Sequence, residues 1–195
     1  MRRWGWVCTM VVMGIVIYLG CSPTSDTNGG GPPATWDRTN QDNLMNFFAQ
    51  AYEDKDILDY DDALDVSFLF QFTPEVAESL KLPEDKPWWG KTEDVISTGN
   101  MFEEPTVTDI VMDYEYVVDW YTCWDSLTTE FGKDTLFSGL CARLKPDIKV
   151  TIETPGTEPR ILWVNNSWLD VMVVPDRFED ELWTILRIQE LELPE

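Results

Sequence analysis

The residues of this chain that could do chemistry are a few cysteines, an abundance of carboxylates and ten tryptophans; there is no histidine. The missing imidazole removes the commonest general base and the commonest metal ligand. Cys8 and Cys21 lie in the N-terminal segment, which leaves Cys123 and Cys141 as an isolated pair. In an oxidising compartment such a pair forms a disulfide, worth roughly 3 kcal/mol for a loop of this size; two buried free thiols are the alternative. Two cysteines without histidine fall short of a zinc set, so no metal is expected. Asp59, Asp61, Asp62 and Asp65 lack the glycine of a calcium loop and sit in a helical pattern, which reads as a solvated acidic face. Asp113, Glu115 and Asp170 alternate with apolar residues. Each could serve as a general base only inside an apolar pocket that raised its pKa. Tyr52, Trp88, Asp113, Trp163 and Trp168 are the candidates to line a pocket or a sugar platform, with core packing as the ordinary role of such rings. No Gly-x-Ser-x-Gly, P-loop or dinucleotide fingerprint occurs, so no cofactor is implied.

The elements that must position these residues begin with Leu44, Phe47, Phe48, Ala51 and Tyr52, one face of a helix running to about Asp54. Thr39 and Asp42 fit a capping box at its start. A second short helix follows, with Leu58, Ala63 and Leu64 turned inward. Val66, Phe68, Phe70 and Phe72 then make one apolar face of a strand. Pro74 to Leu80 reads as a short helix, Leu82 to Gly90 as a loop, and Gly90 to Phe102 as a helix packing Val95, Ile96 and Met101. From Pro105 the pattern is β. Ile110, Met112, Tyr114 and Tyr116 share a face, Trp120 to Leu144 is irregular, and Ile148 to Ile152 alternates. Arg160 to Val174 is one long strand. Leu182 to Leu193 is the last, with Trp183, Ile185, Arg187, Gln189 and Leu191 on one side. Helices followed by strands give an α+β class.

At the N-terminus, Arg2 and Arg3 precede an apolar run from Val7 to Leu19, too short for a comfortable membrane span. The run ends at Leu19-Gly20-Cys21-Ser22, which resembles a bacterial lipobox. The resemblance implies cleavage before Cys21 and acylation of its thiol. It divides the chain into a signal peptide (1–20), a Gly/Ser/Pro-rich tether (21–36) and one domain (37–195). Ser22 implies the outer membrane rather than the inner one.

Asn43 to Asp56, with its Phe47-Phe48, Ala51-Tyr52 and closing Asp, is similar to the first helix of NTF2-like (SnoaL-like) domains. Trp183-Thr184-Ile185-Leu186-Arg187-Ile188-Gln189-Glu190-Leu191 resembles that family's last strand, with Ile188 and Glu190 in place of an aromatic residue and an Asp. The resemblance implies a curved antiparallel sheet wrapped round the first helix as a cone, and frequent dimerisation through the open sheet face. Catalytic members of the family place an Asp, His or Tyr in the cone, and no acid of this chain matches such a motif.

A formal charge of −22 at pH 7 argues against a nucleic-acid partner and against electrostatic binding to anionic lipid. With 44% hydrophobic and 13% aromatic residues the domain can still fill a core. The expected function is therefore an envelope lipoprotein, held on the bilayer through acylated Cys21, whose non-catalytic domain binds a small apolar ligand or a protein partner. One alternative is an enzyme of the SnoaL or ketosteroid isomerase type using a buried carboxylate. Another is an assembly module that pairs with a second copy through the sheet.

Overall fold

A computed structural model describes residues 36–128, 134–164, 167–179 and 181–192. The expected signal peptide, Cys21 and the expected tether up to residue 35 lie outside the described residues. Among the described residues, no helix is long and apolar enough to cross a membrane.

The elements in chain order are α1 (Gln41–Asp54), α2 (Ile57–Ala63), β1 (Leu64–Gln71), α3 (Pro74–Ser79), β2 (Trp88–Gly90) and α4 (Lys91–Phe102). The strands β3 (Val107–Thr128), β4 (Asp134–Ile152), β5 (Arg160–Val164), β6 (Ser167–Pro175) and β7 (Trp183–Glu192) follow. They form one seven-stranded sheet in the order β2-β1-β7-β6-β4-β3, with β5 beside β4. Only β1 and β7 pair in parallel; every other pair is antiparallel. The sheet curls round the helices, the α+β cone expected from the sequence.

Leu44, Phe48, Ala51 and Tyr52 of the expected α1 face are buried, Phe47 is only partly buried against the core, and Met45, not expected there, is buried. Its cap differs. Asn40, not Thr39, accepts from the Asn43 N–H at 2.9 Å. Asp42 instead accepts from the Tyr116 hydroxyl and the Trp120 indole, each at 2.8 Å, and so ties the start of α1 to β3. In α2 the buried residues are Tyr60 and Ala63, while Leu58 is 75% exposed. Ala63 and Leu64 are buried as expected, and Ile57 and Tyr60 complete the inward face in place of Leu58. In α4 the buried set is Asp94, Thr98 and Phe102, spaced by four, and Ile96 points to solvent. Asp65 is not on a solvated helix face either. It belongs to β1 and is buried against Arg177 at 3.0 Å.

The β half departs from the sequence reading in four places, each for a backbone reason. The segment read as irregular is one long hairpin of β3 and β4. Register shifts near Val107, Tyr116 and Val118 scramble the alternation that single-sequence reading relies on. The expected strand from Arg160 to Val174 is two collinear pieces along the same edge of β4. Pro146, which has no N–H to donate, falls in the gap between the stretches that β6 and β5 pair with. Trp88–Gly90, read as loop, pairs with β1 as a short edge strand. In β7 a bulge puts Leu186 and Arg187 on the same outer face. Trp183 and Ile185 therefore face the helices, while Arg187 and Gln189 face away.

Cys123 and Cys141 are joined across β3 and β4 as a disulfide, with Cα atoms 5.8 Å apart. Close by, Gly139 lets β6 approach: a Cβ there would lie 2.2 Å from the Val173 carbonyl oxygen. Backbone cannot yield as a side-chain tip can. Gly139→Ala is expected to lower unfolding free energy by about 2–3 kcal/mol in urea titrations, and Ser138→Ala next to it by far less.

Candidate functional site

The helices bring together a set of titratable groups that nothing in the sequence reading paired. Tyr52 of α1, Tyr60 of α2 and Phe102 of α4 meet edge to face, with centroids 5.2 to 6.2 Å apart, and Phe48 closes the group. Inside this aromatic cage the Tyr60 hydroxyl donates to Asp94 Oδ2 at 2.5 Å. Asp94 is 1% exposed. Burial pushes its carboxyl up to about 7, and the Tyr60 hydrogen bond offsets only part of that. Burial, then the Asp94 charge, raises Tyr52 to about 12 and Tyr60 well above the ordinary phenol value.

A carboxyl poised near neutrality beside a phenol is the arrangement that general acid–base catalysis uses. Its surroundings decide whether a substrate can reach it. Asp94, Tyr60, Tyr52, Thr98, Phe48 and Phe102 are all buried. The pair is sealed among three helices rather than presented to a cavity wall. The cone floor is likewise occupied. Leu44, Met45 and Phe48 of α1 pack against Phe68, Phe70, Ile110, Leu144, Val171, Val173, Ile185 and Ile188 of the sheet in one apolar cluster.

The outer face of the sheet, away from the helices, is different in kind. A second, smaller cluster of Leu69, Cys141, Met172, Val174 and Leu186 lies there, with Trp88, Cys123 and Phe137 packed on it. Beside it runs a row of directly opposed residues, one per strand: Trp88, Gln71, Gln189, Asp170, Arg143 and Val118. Arg143 holds Asp170 in a fork of two hydrogen bonds, 2.6 and 2.9 Å long. That contact raises the already high pKa of Arg143. Tyr121, Trp124, Leu136, Ile161 and Trp163 elsewhere on β3, β4 and β5 are exposed.

The five pocket candidates do not converge. Tyr52 is inside the aromatic cage. Trp88 sits at the β2 edge of the outer face, 4.4 Å from Lys86 Nζ, and Trp168 lies on β6, 5.5 Å from the Arg143 guanidinium. Trp163 stands opposite Lys149, and Asp113 opposite Asp147, further along the same outer face. Sequence reasoning missed Tyr60, Asp94, Gln71 and Arg143. The available signal for Asp94 was an acid at an apolar slot, four residues before Thr98 and eight before Phe102.

No protein-family model and no curated protein matches the chain. Among solved structures it is similar to a conserved protein from Planctomyces limnophilus, at 14% identity over 78% of this chain and 92% of that one, with a TM-score of 0.49. It is also similar to an NTF2-like superfamily protein from Salmonella enterica (8%, 78% and 87%, 0.45) and to a putative scytalone dehydratase from Novosphingobium aromaticivorans (10%, 78% and 81%, 0.46). At such identities the likeness concerns the fold alone. The NTF2-like architecture rests on the chain's own order of helices and curled sheet.

Asp94 sets a pH dependence of stability. Its pKa in the folded chain, about 7, exceeds the 3.8 of an ordinary exposed aspartate, so the folded state holds the proton more tightly. That contribution is complete below about pH 4 and is lost as pH rises through 7, of order 4 kcal/mol in all. In urea unfolding between pH 4 and 8, stability of the parent chain is expected to fall relative to Asp94→Asn, which keeps an acceptor for Tyr60. Parallel profiles would refute the assignment.

Proposed function

We propose that this chain is a non-catalytic, NTF2-like envelope lipoprotein. It is held on a membrane, the outer one in a double-membrane cell, through acylated Cys21. It docks a protein partner across the outer face of its sheet, and a second copy of the chain is the first partner to test. The observation that carries this reading is the division of the sheet into two faces. Much of the concave face is covered by side chains from α1, which favours a scaffold over a carrier of a small apolar ligand. The outer face combines indoles, amides and a neutralised Arg143–Asp170 pair. Such mixtures of aromatic residues and arginine, poor in uncompensated charge, characterise docking surfaces. On a chain of charge −22 that row is also where two copies can approach without adding acid to acid.

One observation favours a second reading, catalysis by a carboxylate: the raised pKa of Asp94 beside Tyr60. It requires the aromatic cage to open for a substrate. Under that reading Asp94→Asn abolishes a turnover and leaves the oligomeric state alone; under the docking reading it changes only the response of stability to pH.

Light scattering on the size-fractionated protein checks the docking face. The parent chain is expected to run at twice the monomer mass at high micromolar concentration. Arg143→Glu, which sets two carboxylates side by side in the row, is expected to weaken association by about tenfold or more, with folding intact by near-ultraviolet circular dichroism. A parent chain that stays monomeric at high concentration rules out the second copy as partner.

A further inference from the structure

The face just described is not the most exposed apolar surface of the protein. Trp124 is 67% exposed, Leu136 68%, Phe178 82% and Trp36 41%. Backbone register brings all four to one end of the sheet. Leu140 opposite Val173 is the last level at which β6 supports β4, and beyond it the β3–β4 hairpin continues as a two-stranded ribbon. On that ribbon Trp124 faces Ser138 and Leu136 faces Ser126, so Trp124 and Leu136 are diagonal neighbours on one side. Phe178 lies in the β6–β7 loop, level with the ribbon, because Pro175 pairs with Trp183 and Arg177 reaches to 4.9 Å from the Phe137 ring. Arg38 fixes Trp36 to the same end. Its carbonyl accepts from the Trp183 N–H at 2.8 Å, and its guanidinium grips Asp176 at 3.0 Å and Glu179 at 3.6 Å, on either side of Phe178.

We propose that this end, with Trp36, Trp124, Leu136 and Phe178, rests on the surface of the bilayer that holds the chain. The inference goes beyond the docking face and rests on the reading of Cys21 as the anchor. The chain enters the domain at Trp36, and only residues 22–35 separate that point from Cys21. By linker statistics a Gly/Ser/Pro-rich segment of that length spans on the order of 20 Å r.m.s.. A domain of this size has a radius of gyration of about 15 Å, and hence a breadth greater than the tether's span. The end at which the chain enters is thus the one held against the lipid.

The side chains suit that position. Indole rings sit at the boundary between headgroups and acyl chains, where one part is wet and the other apolar, and Leu and Phe bury there. The disulfide at the base of the ribbon and the contact of Arg177 with Phe137 hold the presenting strands in place. The nearby exposed Glu179 and Glu181 select a surface without net negative charge, so the partner is zwitterionic lipid.

The test uses the acylated full-length product in phosphatidylcholine vesicles, with ordinary or brominated acyl chains. Brominated lipid is expected to quench tryptophan emission. Trp124→Phe should remove about half of that quenching, since Trp36 and Trp124 are the two strongly exposed indoles at this end. Trp163→Phe, on β5 away from this end, should leave it unchanged. Unquenched emission, which would also follow if a protein covered this end instead, overturns the contact, as does an equal loss in Trp163→Phe. Intact mass of the same sample reads acylation separately. An unmodified Cys21 overturns the anchor and the tether argument with it, whereas unquenched emission from an acylated chain overturns the contact alone.

Discussion

Burial of one face of α1 in the concavity of the sheet is the constraint to which the other elements conform. Leu44, Met45, Phe48 and Ala51 are nearly inaccessible to solvent. Each large side chain among them stabilises the fold by about 1.5–3 kcal/mol through the apolar surface it removes from water. A flat sheet could touch only a strip of such a helix. To surround it the strands must bend, and the register shifts in β3 and β7 fall where bending would place them. The close crossing at Gly139 belongs to the same geometry, since β6 can follow β4 round the curve only if no side chain intervenes. Curling has a second consequence. The outer face is convex and carries its own apolar cluster under Trp88 and Phe137, so the sheet is apolar on both sides where that cluster lies.

The same packing accounts for Asp94. Filling the space between α1, α2 and α4 with tyrosines brings phenol groups into the interior, and a buried hydroxyl needs a partner. Asp94 supplies an acceptor to Tyr60 from an α4 position that an apolar residue would otherwise occupy. With the carboxyl protonated, the pair holds no net charge in an environment that would penalise one. A raised pKa is thus the expected by-product of a hydrogen bond that lets tyrosine serve as core. A perturbed acid marks a catalytic site when a substrate can reach it, and this one lies behind Phe48 and Phe102.

How much was legible in the sequence follows from which physical signal each element carries. The α1 face, α3, α4 and the Phe68–Phe72 part of the first strand could be read because their apolar period is local; Val66, read on the same face, is exposed, where the register shifts between Leu64 and Leu69. The Cys123–Cys141 bridge could be read because only two cysteines remained to pair. The long hairpin, the split at Pro146 and the reversed face of β7 could not, because bulges shift the alternation by one residue and leave no mark in composition. Leu58 and Ile96 were misplaced for a related reason. In a short helix, two faces score alike by period, and Tyr60 and Asp94 took the inner positions that hydropathy alone assigned to aliphatic residues. The outer-face row was out of reach altogether, since Trp88, Gln71, Gln189, Asp170 and Arg143 are neighbours only through strand order.

Strand order also bears on how a partner can approach. A sheet offers its edges as well as its faces, and an unpaired edge strand is the usual route for adding a strand from another chain. Here one edge is β2, only three residues long. A second is the outer side of β5, which among the described strands pairs with β4 alone. The third is β3, long but broken by register shifts and carrying Asp109, Asp113, Glu115 and Asp119. Near its start it is also covered from the helix side: Glu53 accepts from the Met112 N–H at 3.2 Å, and Lys55 donates to the Val107 carbonyl at 2.6 Å. Bulges, acids and capping side chains are the means by which sheets discourage strand addition. With β2 short, β3 broken and capped, and much of the concave face covered by α1, the molecule presents to its surroundings a convex face rich in aromatic and amide groups, an apolar end beside Trp36 and the outer edge of β5. Under the docking proposal, side-chain complementarity at the face and the end carries association, and β5 is the edge left open to backbone pairing.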